Sequence, residues 1–223
     1  MSVATRKYEQ RLRAEGAEET RRRILDALSE RLCEAPSEPV NLEEVARMAG
    51  VVRPTIYAVF GSRAGLFSAL GADLFARGGF EDMLRASAHP DAVEALRGGM
   101  RGVVRMFAAH RDVLRVLYSM AQLDADAVGG AIQLMEEGRA RGALYRAQRL
   151  AEQKALRPDV TVAEAAYLLW VLTSFESFDA LYTGRGLSPD NITERLVTAA
   201  ERSLCKWCVL EAGPDLRVQV PPG

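Results

Sequence analysis

The chain has 223 residues, 48% hydrophobic and 26% charged, with 29 Lys and Arg against 30 Asp and Glu. This is an ordinary globular composition, which excludes collagen-like, disordered and membrane-embedded classes. A net charge of −1 excludes attachment to nucleic acid by bulk charge, so any such contact must come from a local site.

Cys33, Cys205 and Cys208 are too few and too odd in number for a disulfide framework, and point to a reducing compartment. The first residues contain no apolar signal-like segment. The longest apolar run, 165–172, falls far short of the ~20 residues a membrane span needs. A cytoplasmic chain with no membrane partner is expected.

Helical spacing dominates from Thr20 onward. Residues 1–19, with Arg6, Lys7, Arg11 and Arg13, read as a flexible basic arm. Ile24, Leu25, Leu28 and Leu32 form one apolar stripe of a helix ending at Glu34, stopped by Pro36 and Pro39. Asn41 then precedes a short helix carrying Leu42, Val45, Ala46 and Ala49. Asn41 is its cap, and Glu44 stands where it could reach back as a capping-box partner. Gly50 ends that helix, Pro54 suits the first turn of the next, and Ser62 caps a fourth carrying Leu66, Leu70 and Leu74.

Farther along, a helix is expected from Pro90 to about Ala109, weakened by Gly98, Gly99 and Gly102. Another covers Arg111–Leu123, and one or two more cover Asp124–Arg157. Thr161 with Glu164 forms a capping box for an apolar helix through Tyr182. Ser188 opens a final helix to about Cys208, and residues 211–223 read as a tail. The expected fold is all-α, with an N-terminal helix-turn-helix domain at 20–75. A larger helical domain is expected at 76–210.

Two short helices joined by a tight glycine turn at 41–60 have the architecture of a DNA-reading helix-turn-helix. The spacing alone is shared by many helical hairpins. The residues say more. Val45-Ala46, Ala49-Gly50-Val51, Pro54-Thr55-Ile56-Tyr57, Phe60, Ser62-Arg63 and Leu66, with the upstream Ile24-Leu25 helix, resemble the TetR family of transcriptional regulators. The resemblance implies that Thr55 and Tyr57 contact phosphate, that Arg53 and Pro54 face base edges, and that Arg63 stands near phosphate where the family usually has lysine. Asn41 joins them at a helix N-terminus, a natural phosphate site. Arg53 is the sole long donor on the short second helix, and so the candidate for a guanine edge. Val52 departs from the family, occupying a cap position usually held by Ser or Thr, at a cost of about 1 kcal/mol.

The resemblance further implies a homodimeric repressor on a palindromic operator, released when a small effector shifts the fourth helix. A hydrophobic or aromatic effector fits the aromatic content of the later helices. Tyr118, Tyr145, Tyr167, Trp170, Val171 and Ser174 are its expected lining. The expected dimer interface is Leu168, Leu172, Phe175, Leu196, Ala199, Ala200 and Leu204, from the last two helices.

Two alternatives stay open. One is a regulator of this architecture answering to a protein or to oxidation of Cys205 and Cys208. The other is a helical small-molecule-binding module with a non-binding hairpin. No phosphate loop, metal-binding motif or catalytic triad is present, so no enzyme, metal or cofactor is expected. Cys33 is expected in the core.

Overall fold

The computed structural model describes residues 3–206, with side chains from Leu12 onward. The backbone forms α1 (Val3–Glu34), α2 (Leu42–Met48), α3 (Arg53–Phe60), α4 (Arg63–Arg77) and α5 (Phe80–Ser87). The long α6 (Ala92–Leu123) follows, then a π-helical turn (Ala125–Gly129), α7 (Gly130–Glu152), α8 (Val162–Leu172), α9 (Phe175–Arg185) and α10 (Pro189–Leu204). No β-strand is present among the described residues, only one isolated bridge between Leu156 and Cys205. The all-α expectation holds. No described helix is long and apolar enough to cross a membrane.

The first helix is longer than its apolar stripe, and takes in residues 3–19. Thr20 does not cap its start, because its hydroxyl donates one turn back to the Gly16 carbonyl at 2.9 Å. The Glu-, Arg- and Ala-rich stretch before it has high helix propensity and extends the coil. Asp91, not Pro90, caps α6, accepting from the amides of Val93 and Glu94. That helix runs through both of its predicted halves with a kink at His110 (φ −125°, ψ 20°). The expected 161–182 helix instead breaks in two. The Thr161–Glu164 capping box starts α8 as expected, but Ser174 caps a separate α9 by accepting from the Ser177 amide. The Thr173 hydroxyl donates to the Leu169 carbonyl at the break.

The glycines that weaken α6 have a packing purpose. A Cβ at Gly98 would lie 2.8 Å from the Ala86 Cβ, and one at Gly102 would lie 2.5 Å from the Met83 Cγ. Their absence lets α5 lie directly against α6. Ion pairs then tie the far helices to the same scaffold. Arg97 reaches Glu201 on α10 at 2.5 Å, and Arg111 reaches Asp179 on α9 at 3.0 Å.

At the kink, α1, α4 and α6 meet. Arg77 bridges Asp26 and Asp73, and the buried His110 Nε2 has no hydrogen-bond partner. Burial, and then the positive charge of Arg77, hold His110 below the usual histidine range, against a smaller opposing pull from Asp73. Its contribution to stability is therefore complete above the unfolded value of 6.5 and is lost as pH falls from there through the folded value. Thermal melts should show stability declining on acidification below 6.5, and His110→Gln should flatten that slope. An unchanged slope in the variant would remove His110 as its source.

Candidate nucleic-acid interface and ligand cavity

The hairpin at 41–62 is held from within. Arg31 on α1 is only 4% exposed. It donates to Glu44 at 2.7 Å, to Glu38 at 3.0 Å and to the Ala35 carbonyl at 3.2 Å. Glu44 is therefore committed to Arg31 and does not complete a capping box; Asn41 caps alone, accepting from the Glu43 amide at 2.9 Å. Gly50 turns the chain with φ +65°, a conformation costly for a residue bearing Cβ, and the Val51 amide closes the turn onto the Ala46 carbonyl.

On the outer face, Arg47, Val52, Arg53, Pro54 and Tyr57 are all exposed along a groove between α2 and α3, and Thr55 is half-buried. Val52 has no side-chain cap bond, as its residue type requires. The Arg53 guanidinium lies 5.6 Å from the Tyr57 ring centroid, with its nitrogens 3.4 Å from the Tyr57 hydroxyl and 3.4 Å from Glu43. These contacts are long and solvent-exposed, so they are readily exchanged for a nucleic-acid acceptor. Arg63 is placed differently from the expectation. It donates to the Val40 carbonyl at 2.9 Å, lies 3.8 Å from Asp124 and stacks over Phe67, so it is an internal brace. Arg47, which the sequence reading passed over, stands on the exposed face; its position on the outer side of α2 was the available signal.

The expected effector lining is dispersed. Tyr118 is half-buried against the core, stacked on Phe175 at 5.0 Å, and its hydroxyl donates to Glu136 at 2.6 Å. Burial and that carboxylate push its own ionisation well upward. Tyr145, Tyr167, Trp170 and Val171 are exposed, and Ser174 is a helix cap. Tyr167, Trp170 and Val171 all lie on α8, which turns the face carrying Ala165 and Leu169, not theirs, into the core. The predicted dimer residues shift likewise. Phe175, Leu196, Ala200 and Leu204 are buried in this chain's own core, and Leu168, Leu172 and Ala199 are half-buried.

The open space lies elsewhere, between α4, α5, the first half of α6 and α7. It is a cavity of about 490 Å³ walled by Phe75, Phe80, Met83, Met106, Leu134 and Met135. Arg139, Arg141 and Arg146 also line it. Arg146 is 7% exposed and its Nε has no partner. Burial pushes the Arg146 guanidinium down to about 10, equivalent to roughly 3 kcal/mol of disfavoured charge.

Residues 24–70 match the family described as "Bacterial regulatory proteins, tetR family". The N-terminal domain is a tetR-family domain. Over most of its length the chain has the fold of such regulators. NalD of Pseudomonas aeruginosa, the secondary repressor of the MexAB-OprM multidrug efflux pump, is 25% identical, with a TM-score of 0.65 over 86% of this chain and 98% of its own. KstR2 of Mycobacterium tuberculosis, a ketosteroid transcriptional regulator, is 18% identical, with a TM-score of 0.59 over 84% and 95%. A TetR-like regulator from Rhodococcus sp. RHA1 is 19% identical, with a TM-score of 0.60 over 82% and 94%. No curated protein sequence matches the chain.

Cys205 is poorly placed for redox chemistry. Cys205 is buried, its backbone amide donates to the Glu201 carbonyl, and burial pushes the thiol up to about 11. Cys208 lies outside the described residues. Cys33 is exposed rather than in the core. The unpaired guanidinium has a measurable cost. Arg146→Met should raise stability by about 1–3 kcal/mol, read as a higher denaturant midpoint, because it removes an unsatisfied charge and fills similar volume. A lower midpoint would mean that the guanidinium is satisfied in solution.

Proposed function

We propose that the chain is a homodimeric repressor that binds a palindromic operator and is released by a small molecule held in the cavity between α4 and α7. One observation carries this reading. Ser68, Gly71, Ala72 and Phe75 of α4 line the cavity, while Arg63, at the N-terminus of the same helix, is bonded to the Val40 carbonyl just ahead of the α2–α3 hairpin. A ligand that displaces α4 displaces the reading head with it. DNA and ligand then oppose each other by the same free energy in both directions.

In this reading Arg53 takes a base edge, with Pro54 beside it. Thr55, Tyr57 and the Asn41-capped end of α2 face phosphate, and Arg47 is an added phosphate contact. Arg53→Ala should weaken operator binding by ~1–3 kcal/mol while leaving random DNA nearly unchanged; Tyr57→Phe should weaken both alike. Fluorescence anisotropy on operator and scrambled duplexes separates the two, and equal losses for Arg53→Ala would refute base reading.

Dimerisation is assigned to α8 and α10, as the sequence suggested, but through different residues. Ala163, Tyr167, Trp170 and Val171 share one exposed face of α8, with Tyr167 at 70% and Val171 at 53%. Two such faces related by a two-fold axis would bury these side chains together. The heads would then meet half-sites separated by one helical turn, about 34–36 Å, or a multiple of it. Val171→Asp places a carboxylate in that contact, and sedimentation should show a monomer with unchanged helix content and weakened operator binding. A dimer that persists in the variant would place the interface elsewhere.

A further inference from the structure

We propose that the cavity is a receptor for an apolar monocarboxylate, whose head group is taken by Arg146. This rests on the reading of the cavity as the effector site, and names what that site accepts. The cavity wall contains three arginines and no acidic residue. Two of the three are already matched. Arg139 holds Glu136 through Nη2 at 2.5 Å and Nε at 3.1 Å, and donates to the Trp170 carbonyl at 2.9 Å. Arg141 is largely exposed and lies 4.0 Å from Glu137. Arg146 is buried and unmatched.

Its position is built rather than incidental. The guanidinium lies on the bare backbone of Gly99 and Gly142. A Cβ at Gly99 would fall 2.4 Å from the Arg146 Nε, and one at Gly142 would fall 3.2 Å from Nη1. The same Cβ at Gly99 would fall 2.8 Å from the Ser87 Oγ, a second buried polar atom without a partner. Two buried polar groups without partners thus flank Gly99, and of the two Arg146 lines the cavity. A guanidinium fork matches the two oxygens and single charge of a carboxylate. Phe75, Phe80 and the methionines Met83, Met106 and Met135 suit an aliphatic or aromatic body, with methionine adapting to its shape. A volume of about 490 Å³ is ample for a small organic acid.

Titration calorimetry on the full chain with octanoate and octan-1-ol tests this, since the two share a body and differ in the head. Octanoate should bind about tenfold or more tightly than the alcohol, the factor expected of a charge-assisted hydrogen bond. Arg146→Met should remove most of that preference by weakening octanoate far more than the alcohol, and Arg146→Lys, which keeps the charge, should retain part of it. Equal binding of acid and alcohol by the wild type would overturn the carboxylate receptor and leave the cavity as an effector site. Undiminished preference in Arg146→Met would also overturn it, placing the anion elsewhere. Binding of neither compound would overturn the proposal and count against the effector reading as well.

Discussion

Helix α4 packs its apolar stripe into a core that runs without a break from Ile24 on the first helix to Leu204 on the last. Leu66, Phe67 and Leu70 are fully buried, and Leu74 nearly so. One end of the helix is capped by Ser62 and braced by Arg63 against the hairpin; the other is clamped by Arg77 to α1. Its remaining face is a cavity wall. A close-packed rod of this kind moves as a unit, since protein interiors do not deform continuously. Coupling between the hairpin and the larger helical domain therefore has this helix as one path, with the packing of α1 on α2 and on α6 as another. Asp124, at the junction of α6 and the π-helical turn, meets the hairpin end of α4 through Arg63 and gives a second point of contact.

Three buried arginines show how context decides what a charged residue does. Arg31 has carboxylates from a loop and from α2, and fixes the hairpin to α1. Arg139 has Glu136 one turn away and a backbone carbonyl on α8, and ties α7 to α8. Arg146 has neither. A charge in low dielectric without a partner is costly, so such a group persists where something other than stability retains it. The lining of the cavity supplies that reason.

How much of this was legible in the residues varies by element. The caps at Asn41, Asp124, Thr161 and Ser188 act over two or three residues, and of these Asn41, Thr161 and Ser188 could be read directly. The glycine turn and the hairpin letters were equally local. The break between α8 and α9 was not, because Thr173 and Ser174 can sit inside a helix or end one, and only tertiary packing chooses. Nor was the rotation of α8, which sets Ala165 and Leu169 inward. Tyr167 and Trp170 went outward and Phe175 went into the core, against Phe107 and Tyr118.

The sequence by itself determined the helical class and the hairpin at 41–60, because periodicity, caps and turn glycines act at short range. Only the tertiary structure decided where the open space lies and which charges remain unmatched. Arg63 and Arg146 look alike as letters in a chain, yet one is a brace and the other faces a cavity. Their partners come from residues 23 positions away in one case, and in the other from none at all. Partnering at that distance is set by how helices pack, and no local pattern encodes it.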